Sequence, residues 1–324
     1  MMNRYILVAA MCALAIPAAA VAAPANAEAW KAVFSPLPDS APSSAHPLTP
    51  EKIALGKKLY LDKRLSKNQD ISCNSCHRLD GFGVDNEPTS PGHKGQRGGR
   101  NSPSSFNAAL HIAQFWDGRA ATVEAQALGP ILNPIEMAMD SEAAVIERLK
   151  ADPATVKEFS TAFPGEKEPL TYANVGNAIG AFERTLITPS RFDAWLKGDS
   201  SALTADEKRG AKLFAETGCT ACHNGATLGG QMYQKLGVVK PYATKDQGRF
   251  EQTKNESDKF VFKVPSLRNV AKTGPYFHDG SIKTLPEAVS LMAEYQLGKK
   301  LESQQVADIV TFLNALTATS TPKA

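Results

Sequence analysis

Apolar residues three or four positions apart mark four amphipathic helices along the chain. They are "DSEAAVIERLKAD", "TYANVGNAIGAFERTL", "LPEAVSLMAEYQLG" and the C-terminal "SQQVADIVTFLNALT", where Val306, Ile309, Val310, Leu313 and Leu316 fall on one stripe. Two further segments carry helix-start signals. Thr49 precedes Pro50, and Thr204 is followed three residues on by Glu207, the spacing of a capping box. Both signals lead into similar stretches, "ALGKKLYLDKRLSKNQDISCNSCH" and "KRGAKLFAETGCTACH". Each holds a Gly-x-Lys-Leu-aromatic run, Gly56–Tyr60 and Gly210–Phe214, ahead of a C-x-x-C-H pentapeptide. The chain therefore contains a divergent internal repeat. Sustained period-two alternation is hard to find, so the fold predicted is mainly α. "ITPSRFDAWLKGDSSALT" reads as the connection between the repeated units, and residues 28–48, rich in Pro and Ser, as an extended leading segment. The polar tail after Ala315 is expected to fray.

Composition adds location. With 324 residues, 43% apolar and 21% charged, the chain is long enough for two domains of globular character. A formal charge of +3 and a pI near 8.5 are too mild to suggest nucleic acid. Residues 1–27 have the layout of a secretory signal: Arg4, the apolar run "YILVAAMCALAIPAAAVAA", then "ANA" at Ala25–Ala27. Pro17 and Pro24 interrupt the run, which argues against a membrane anchor. The mature chain is thus expected outside the cytoplasm, with no other stretch able to span a bilayer.

The cysteines sharpen the chemistry. Of five, Cys12 lies in the signal; the rest form "CNSCH" (Cys73, Cys76, His77) and "CTACH" (Cys219, Cys222, His223). Disulfides or a zinc site could use the cysteines, but both leave the histidine after each pair unexplained. A c-type haem accounts for all three residues: two thiols bond the porphyrin edge and the histidine takes the proximal iron position. Two cytochrome c-like units, each around one covalent haem, are expected.

These motifs, with "FWDGRA", "NPIEM", "FERTL", "VPSLRNV", "GPYFHDG" and "AEYQLG", resemble the bacterial dihaem cytochrome c peroxidases over nearly the whole mature chain. The resemblance implies an N-terminal, low-potential peroxidatic haem domain over residues 28–200. A C-terminal, high-potential electron-transfer domain would follow over 201–324. It further implies reduction of hydrogen peroxide to water in the periplasm, with electrons from a small cytochrome c or a cupredoxin. The family is commonly dimeric. It also includes a branch, of the methylamine-utilisation type, that oxidises a partner protein and uses a tyrosine at the second haem. A non-catalytic dihaem electron carrier is the alternative of another class.

The resemblance assigns roles residue by residue. His223 is proximal at the second haem and Met292 its sixth ligand, a thioether suited to a high potential. Met292 could equally be core, and Met232 stays open as a rival. At the first haem His77 is proximal and His93, within the Gly-rich "SPGHKGQRGG", is the distal ligand. Without the resemblance His93 reads as a solvated loop residue. Its release, on reduction of the second haem, would free the first iron for peroxide. Glu136 matches the acid–base residue, Gln126 the peroxide-orienting residue and Trp116 the tryptophan between the haems. The side chain of Asn101 and the carbonyls of Thr273 and Pro275 match a calcium site. His278, Arg119 and Arg268 are expected near haem propionates, and His111 and His46 are read as structural or surface residues.

Overall fold

The computed structural model describes residues 29–321. The expected signal at 1–27 therefore lies outside the described residues. Eleven α-helices and one two-stranded sheet are seen among them. The helices in chain order are α1 (Pro50–Leu61), α2 (Cys73–Cys76), α3 (Val123–Leu132), α4 (Glu142–Lys150), α5 (Pro153–Ala162) and α6 (Tyr172–Glu183). They continue with α7 (Arg191–Leu196), α8 (Ala205–Thr217), α9 (Phe250–Thr253), α10 (Leu285–Leu297) and α11 (Ser303–Ala315). Strands β1 (Tyr233–Lys235) and β2 (Val261–Lys263) pair antiparallel, with Gln234 opposite Phe262. The expected mainly helical class holds, and both predicted starts are made. Thr49 Oγ1 accepts from Lys52 N (3.2 Å). Thr204 Oγ1 accepts from Glu207 N (3.2 Å) while Glu207 Oε2 accepts from Thr204 N (2.8 Å).

The internal repeat is a repeated helix crossing. In the first cluster α1 packs on α6; a Cβ on Gly56 would run into the Ala178 carbonyl and come within 2.9 Å of Phe182 Cβ. In the second, α8 packs on α11; a Cβ on Gly210 would run into the Asp308 carbonyl and come within 3.0 Å of Phe312 Cβ. The glycines stand at the same place in the two C-x-x-C-H repeats, and their targets are spaced i, i+4 in both. Only a residue without a side chain lets the two backbones touch there. Leu59, Phe159 and Ile179 are fully buried in the first cluster; Phe192, Phe312 and Leu316 are in the second. Each such side chain contributes about 1.5–3 kcal/mol of burial.

Three segments differ from expectation. The connection contains α7, whose Phe192 and Trp195 belong to the second cluster. Asp193 on α7 binds Arg268 (2.6 Å), and both side chains are buried. The leading segment is a strap: Phe34 inserts in the second cluster, Leu37 N donates to Asp193 Oδ1 (2.7 Å), and Ala41 O accepts from Arg184 Nη1 (3.1 Å) beside the first. The tail is not frayed through residue 319. Leu316 is fully buried, Ala318 N donates to Asn269 Oδ1 (2.8 Å) and Thr319 N to Pro189 O (3.3 Å). Backbone pairing, invisible in a polar composition, holds it. Among the described residues no helix is long and apolar enough to cross a membrane.

Candidate functional site

Both C-x-x-C-H motifs fold alike. In each, the histidine N–H donates to the carbonyl of the first cysteine (His77 to Cys73 and His223 to Cys219, both 2.9 Å). His77 Nδ1 lies 3.3 Å from Gly83 O, and His223 Nδ1 lies 3.0 Å from Leu228 O. With Nδ1 donating to a carbonyl, the tautomer is fixed and Nε2 carries the lone pair a metal would take. Burial lowers the pKa of both imidazoles, which keeps them neutral as ligands must be; neighbouring carbonyls oppose it without reversing it. Tyr60, from α1, donates to His77 O (2.6 Å) and shares a hydrogen bond with Ser105 (3.0 Å), fixing the first motif to the helix crossing.

The four cysteines are free thiols, partly buried. Among the described residues no group of three or more His, Cys, Asp or Glu side chains could hold a bare metal ion. The second motif instead opens on a cleft of about 1800 Å³, counting the space at its mouth. Cys219, Cys222, His223 and Met292 all line it, among apolar walls that include Phe214, Leu285, Leu297 and Leu313. An apolar slot with two thiols, an imidazole and a thioether fits a flat macrocycle held covalently and ligated from two sides. Met232 is not among the lining residues; its carbonyl accepts from Val264 N (2.9 Å).

His93 is 8% exposed. Its N–H donates to Ile135 O (2.9 Å) and Glu136 O (2.7 Å), and a Cβ on Gly92 would run into the Ile135 carbonyl. The loop is thus seated on "NPIEM" through its backbone. Gly95, Gly98 and Gly99 have open space around them, so Gly92 is the glycine packing demands and the others leave the loop free to turn. Glu136 follows α3, and Asn133 Nδ2 donates to its Oε1 (2.8 Å). Burial raises the Glu136 pKa above the ordinary carboxylate value, although the Arg119 charge and Asn133 oppose it. Gln126, half-buried on α3, makes no side-chain hydrogen bond among the described residues, to Glu136 or to any other group.

Trp116, Asn101, Thr273, Pro275 and His278 line the same cleft as His223 and Met292. Trp116 Nε1 donates to Asn101 O (2.9 Å), and the Trp116 ring meets His278 edge-on at 6.5 Å. The Asn101 amide donates to Glu87 O (2.9 Å) and Pro88 O (3.3 Å), leaving its oxygen available. Asn86 Nδ2 donates to Lys272 O (2.9 Å) and Gly274 O (2.8 Å), on either side of Thr273.

Comparison with known proteins agrees with this geometry. A family model described as Di-haem cytochrome c peroxidase matches residues 50–201, and one described as Cytochrome c matches 207–317. The chain is 47% identical to the cytochrome c551 peroxidase of Pseudomonas aeruginosa over 88% of this chain and 84% of that one. It is 48% identical to the cytochrome c551 peroxidase of Nitrosomonas europaea over 83% and 82%. The crystal structure of a MauG-like protein associated with microbial copper homeostasis superposes with a TM-score of 0.78 at 30% identity, covering 88% of this chain and 94% of that one. The chain belongs to the bacterial di-haem cytochrome c peroxidases. It is a peroxidase oxidoreductase of a family built on two c-type haems.

Several residues of the peroxidase carry more, or something other, than sequence alone suggested. Arg268 lines the cleft, but its guanidinium donates to Asp193, Ser190 and Ala226 O, so its charge is already matched. Arg119 pairs with Asp117 (3.0 Å) and lies 3.4 Å over the Phe115 ring. His111 is half-buried, His278 is buried, and Lys263 on β2 is only 5% exposed. A buried lysine is rare enough to signal a role, but "VFKVP" gives no sign that β2 turns it inward.

Proposed function

We propose that the peroxidase takes electrons from a small periplasmic cytochrome c or cupredoxin at its C-terminal haem, and that peroxide meets the N-terminal haem once His93 has withdrawn. The overall change is hydrogen peroxide plus two protons plus two electrons giving two waters. Cys73 and Cys76 would attach the first haem with His77 proximal, in a domain running over about residues 28–200. Cys219 and Cys222 would attach the second, with His223 and Met292 as the side chains that would ligate its iron, in a domain over 201–324. The haem irons supply the electron-accepting and peroxide-binding chemistry.

The rest belongs to the chain. His93 would ligate the first haem iron at rest. Glu136 moves a proton from the near to the far oxygen of the peroxide, a task suited to a carboxyl whose pKa burial has raised above the ordinary carboxylate value. Gln126, with its amide uncommitted, orients peroxide. Trp116 relays electrons between the two centres. The Asn101 oxygen and the carbonyls of Thr273 and Pro275 form a calcium site, few protein oxygens completed by water.

The observation that carries this reading is the bond from His93 N to the Glu136 carbonyl: the residue that must leave and the residue that must act share one backbone contact. The methylamine-utilisation alternative calls for tyrosine at the second haem, where Met292 lines the cleft. Peroxide turnover by fully oxidised and half-reduced protein, with spectra of both haems, tests the reading. Turnover only after half-reduction supports release of His93. Full-rate turnover by the oxidised protein sinks it, and tyrosinate rather than thioether ligation at the second haem favours the alternative.

A further inference from the structure

We propose that Lys263, with His111 and His278, binds the two carboxylates of the C-terminal haem, an inference that rests on the haem reading above. The three residues line one cleft with His223 and Met292. His111 Nε2 and His278 Nδ1 are buried nitrogens without a hydrogen-bond partner. The Lys263 backbone N–H donates to Trp116 O (2.7 Å), but its ammonium has no hydrogen bond or ion pair among the described residues. Unpaired buried donors are costly, and an unpaired buried cation most of all.

For Lys263, His111 and the Nδ1 of His278 there is no protein anion; the Asp246 carboxylate stands 3.9 Å from the other ring nitrogen of His278, outside the cleft lining. No Asp or Glu lines the cleft, and the other cation there, Arg268, is matched by Asp193 (2.6 Å). A slot with apolar walls, one unmatched cation, two unpartnered imidazole nitrogens and no carboxylate in its lining calls for a ligand that is apolar over most of its area and anionic at one edge. A tetrapyrrole with two carboxylates has that distribution. The donors are also held in place. A Cβ on Gly230 would come within 2.9 Å of His111 Nε2, so the glycine is what admits the imidazole. His278 stacks on Phe262 at 4.4 Å, and its Nε2 is engaged by Thr244 Oγ1 (3.2 Å), which leaves Nδ1 to face the ligand. Burial pushes the Lys263 pKa down to about 8, as it must for an ammonium awaiting its counter-ion.

The test compares Lys263→Met and Lys263→Arg with the wild type as purified holoprotein. Haem is counted by the pyridine haemochrome assay, and the midpoint potential of the C-terminal haem is read by spectroelectrochemistry. Loss of a cation at the haem edge favours the oxidised form. Lys263→Met is therefore expected to shift the reduction equilibrium at least tenfold toward oxidised, ~59 mV for one electron. Lys263→Arg restores most of it. If Lys263→Met does not fold, Lys263→Gln takes its place. An unchanged potential with two haems bound overturns the inference. Wild-type protein without haem at Cys219 and Cys222 overturns the haem reading instead. Phosphate or acetate titration separates the two sources of anion: thermal stabilisation of wild-type holoprotein that Lys263→Met abolishes would mean a free anion binds, and would overturn the assignment to haem carboxylates.

Discussion

Replacing Glu136 by glutamine separates proton transfer from packing. The carboxyl is desolvated, with Asn133 donating to Oε1 at 2.8 Å, and the carbonyl oxygen of the substituted amide can accept the same bond. Removing a charge from a desolvated place while keeping volume and partner changes folding stability by about 1 kcal/mol or less. The rate is another matter. General acid–base transfer is worth roughly 10²–10⁴-fold, which is about 3–5 kcal/mol on the barrier. The assay is steady-state peroxide consumption with a reduced small c-type cytochrome, on proteins of equal haem content, with thermal unfolding measured alongside. Turnover should fall by at least a hundredfold, by the same range, with the unfolding midpoint almost unmoved. The pH profile adds a sign. A base must be ionised to accept the proton, so the wild-type rate falls as pH drops through a pKa raised above the ordinary carboxylate value, and that limb vanishes in Glu136→Gln. Turnover within about threefold of wild type, against the expectation for proton transfer, would refute the assignment.

Three further outcomes follow from the same geometry. Gly56→Ala and Gly210→Ala should each lower stability by at least about 1–3 kcal/mol, outweighing the helix-propensity gain, whereas Gly99→Ala, with open space around it, should be near neutral; urea midpoints decide. His93→Ala should let the fully oxidised protein turn over peroxide without prior reduction, and a continued need for reduction would mean that another group closes the first iron. Arg268→Ala should cost about 3–5 kcal/mol by stranding Asp193. Burial alone would raise the Asp193 pKa, but Arg268 and the N–H groups of Leu37 and Ser190 hold it below the ordinary value. Its stabilisation is therefore full above the unfolded pKa of about 3.9 and lost as pH falls through the lower folded pKa, and urea titrations at acid pH should lack that slope in the variant.

Much of this was legible in the sequence where local patterns coincide with local physics. The caps at Thr49 and Thr204 act within one turn, and the Val306-to-Leu316 stripe within one helix, so neither needed the fold. The repeat flagged Gly56 and Gly210, but what each glycine meets lies far along the chain, at Ala178 and Asp308, and only packing reveals it. Helix α5 escapes the sequence pattern because Phe159 is the one large apolar residue on its buried face, with only Thr155 and Ala162 beside it. Lys263 and the tail at Ala318 were missed for a common reason: a polar letter does not say whether its partner is water or a distant chain segment.

The segment from Asn86 to Asn101 joins the two haem motifs mechanically. Its start is bound to the second half of the chain through Asn86 on Lys272 O and Gly274 O, and its end through Asn101 N on His278 O (2.7 Å). Between them Pro88 packs against Gly280, where a Cβ would come within 2.6 Å of Pro88 Cα. Its middle is bound to the first half through His93 N on Ile135 O and Glu136 O. Thr273 and residues 275–278 also line the cleft of the second haem motif. Displacement of that stretch relative to α3 must therefore be absorbed inside the segment, either at the open glycines Gly95, Gly98 and Gly99 or at the His93 seat. The seat holds by one backbone N–H shared between two carbonyls, a hydrogen bond worth about 0.5–1.5 kcal/mol net, while covalent geometry does not stretch. A shift larger than the glycines can take up by rotation releases His93 first. Stiffening Gly98 and Gly99, neither of which has a positive φ, as Gly98→Pro with Gly99→Pro should make His93 leave at a smaller displacement of the second half. Half-reduced protein carrying these substitutions should reach the high-spin first haem faster than wild type in stopped-flow spectra; an equal or slower rate would mean that the segment does not carry the signal.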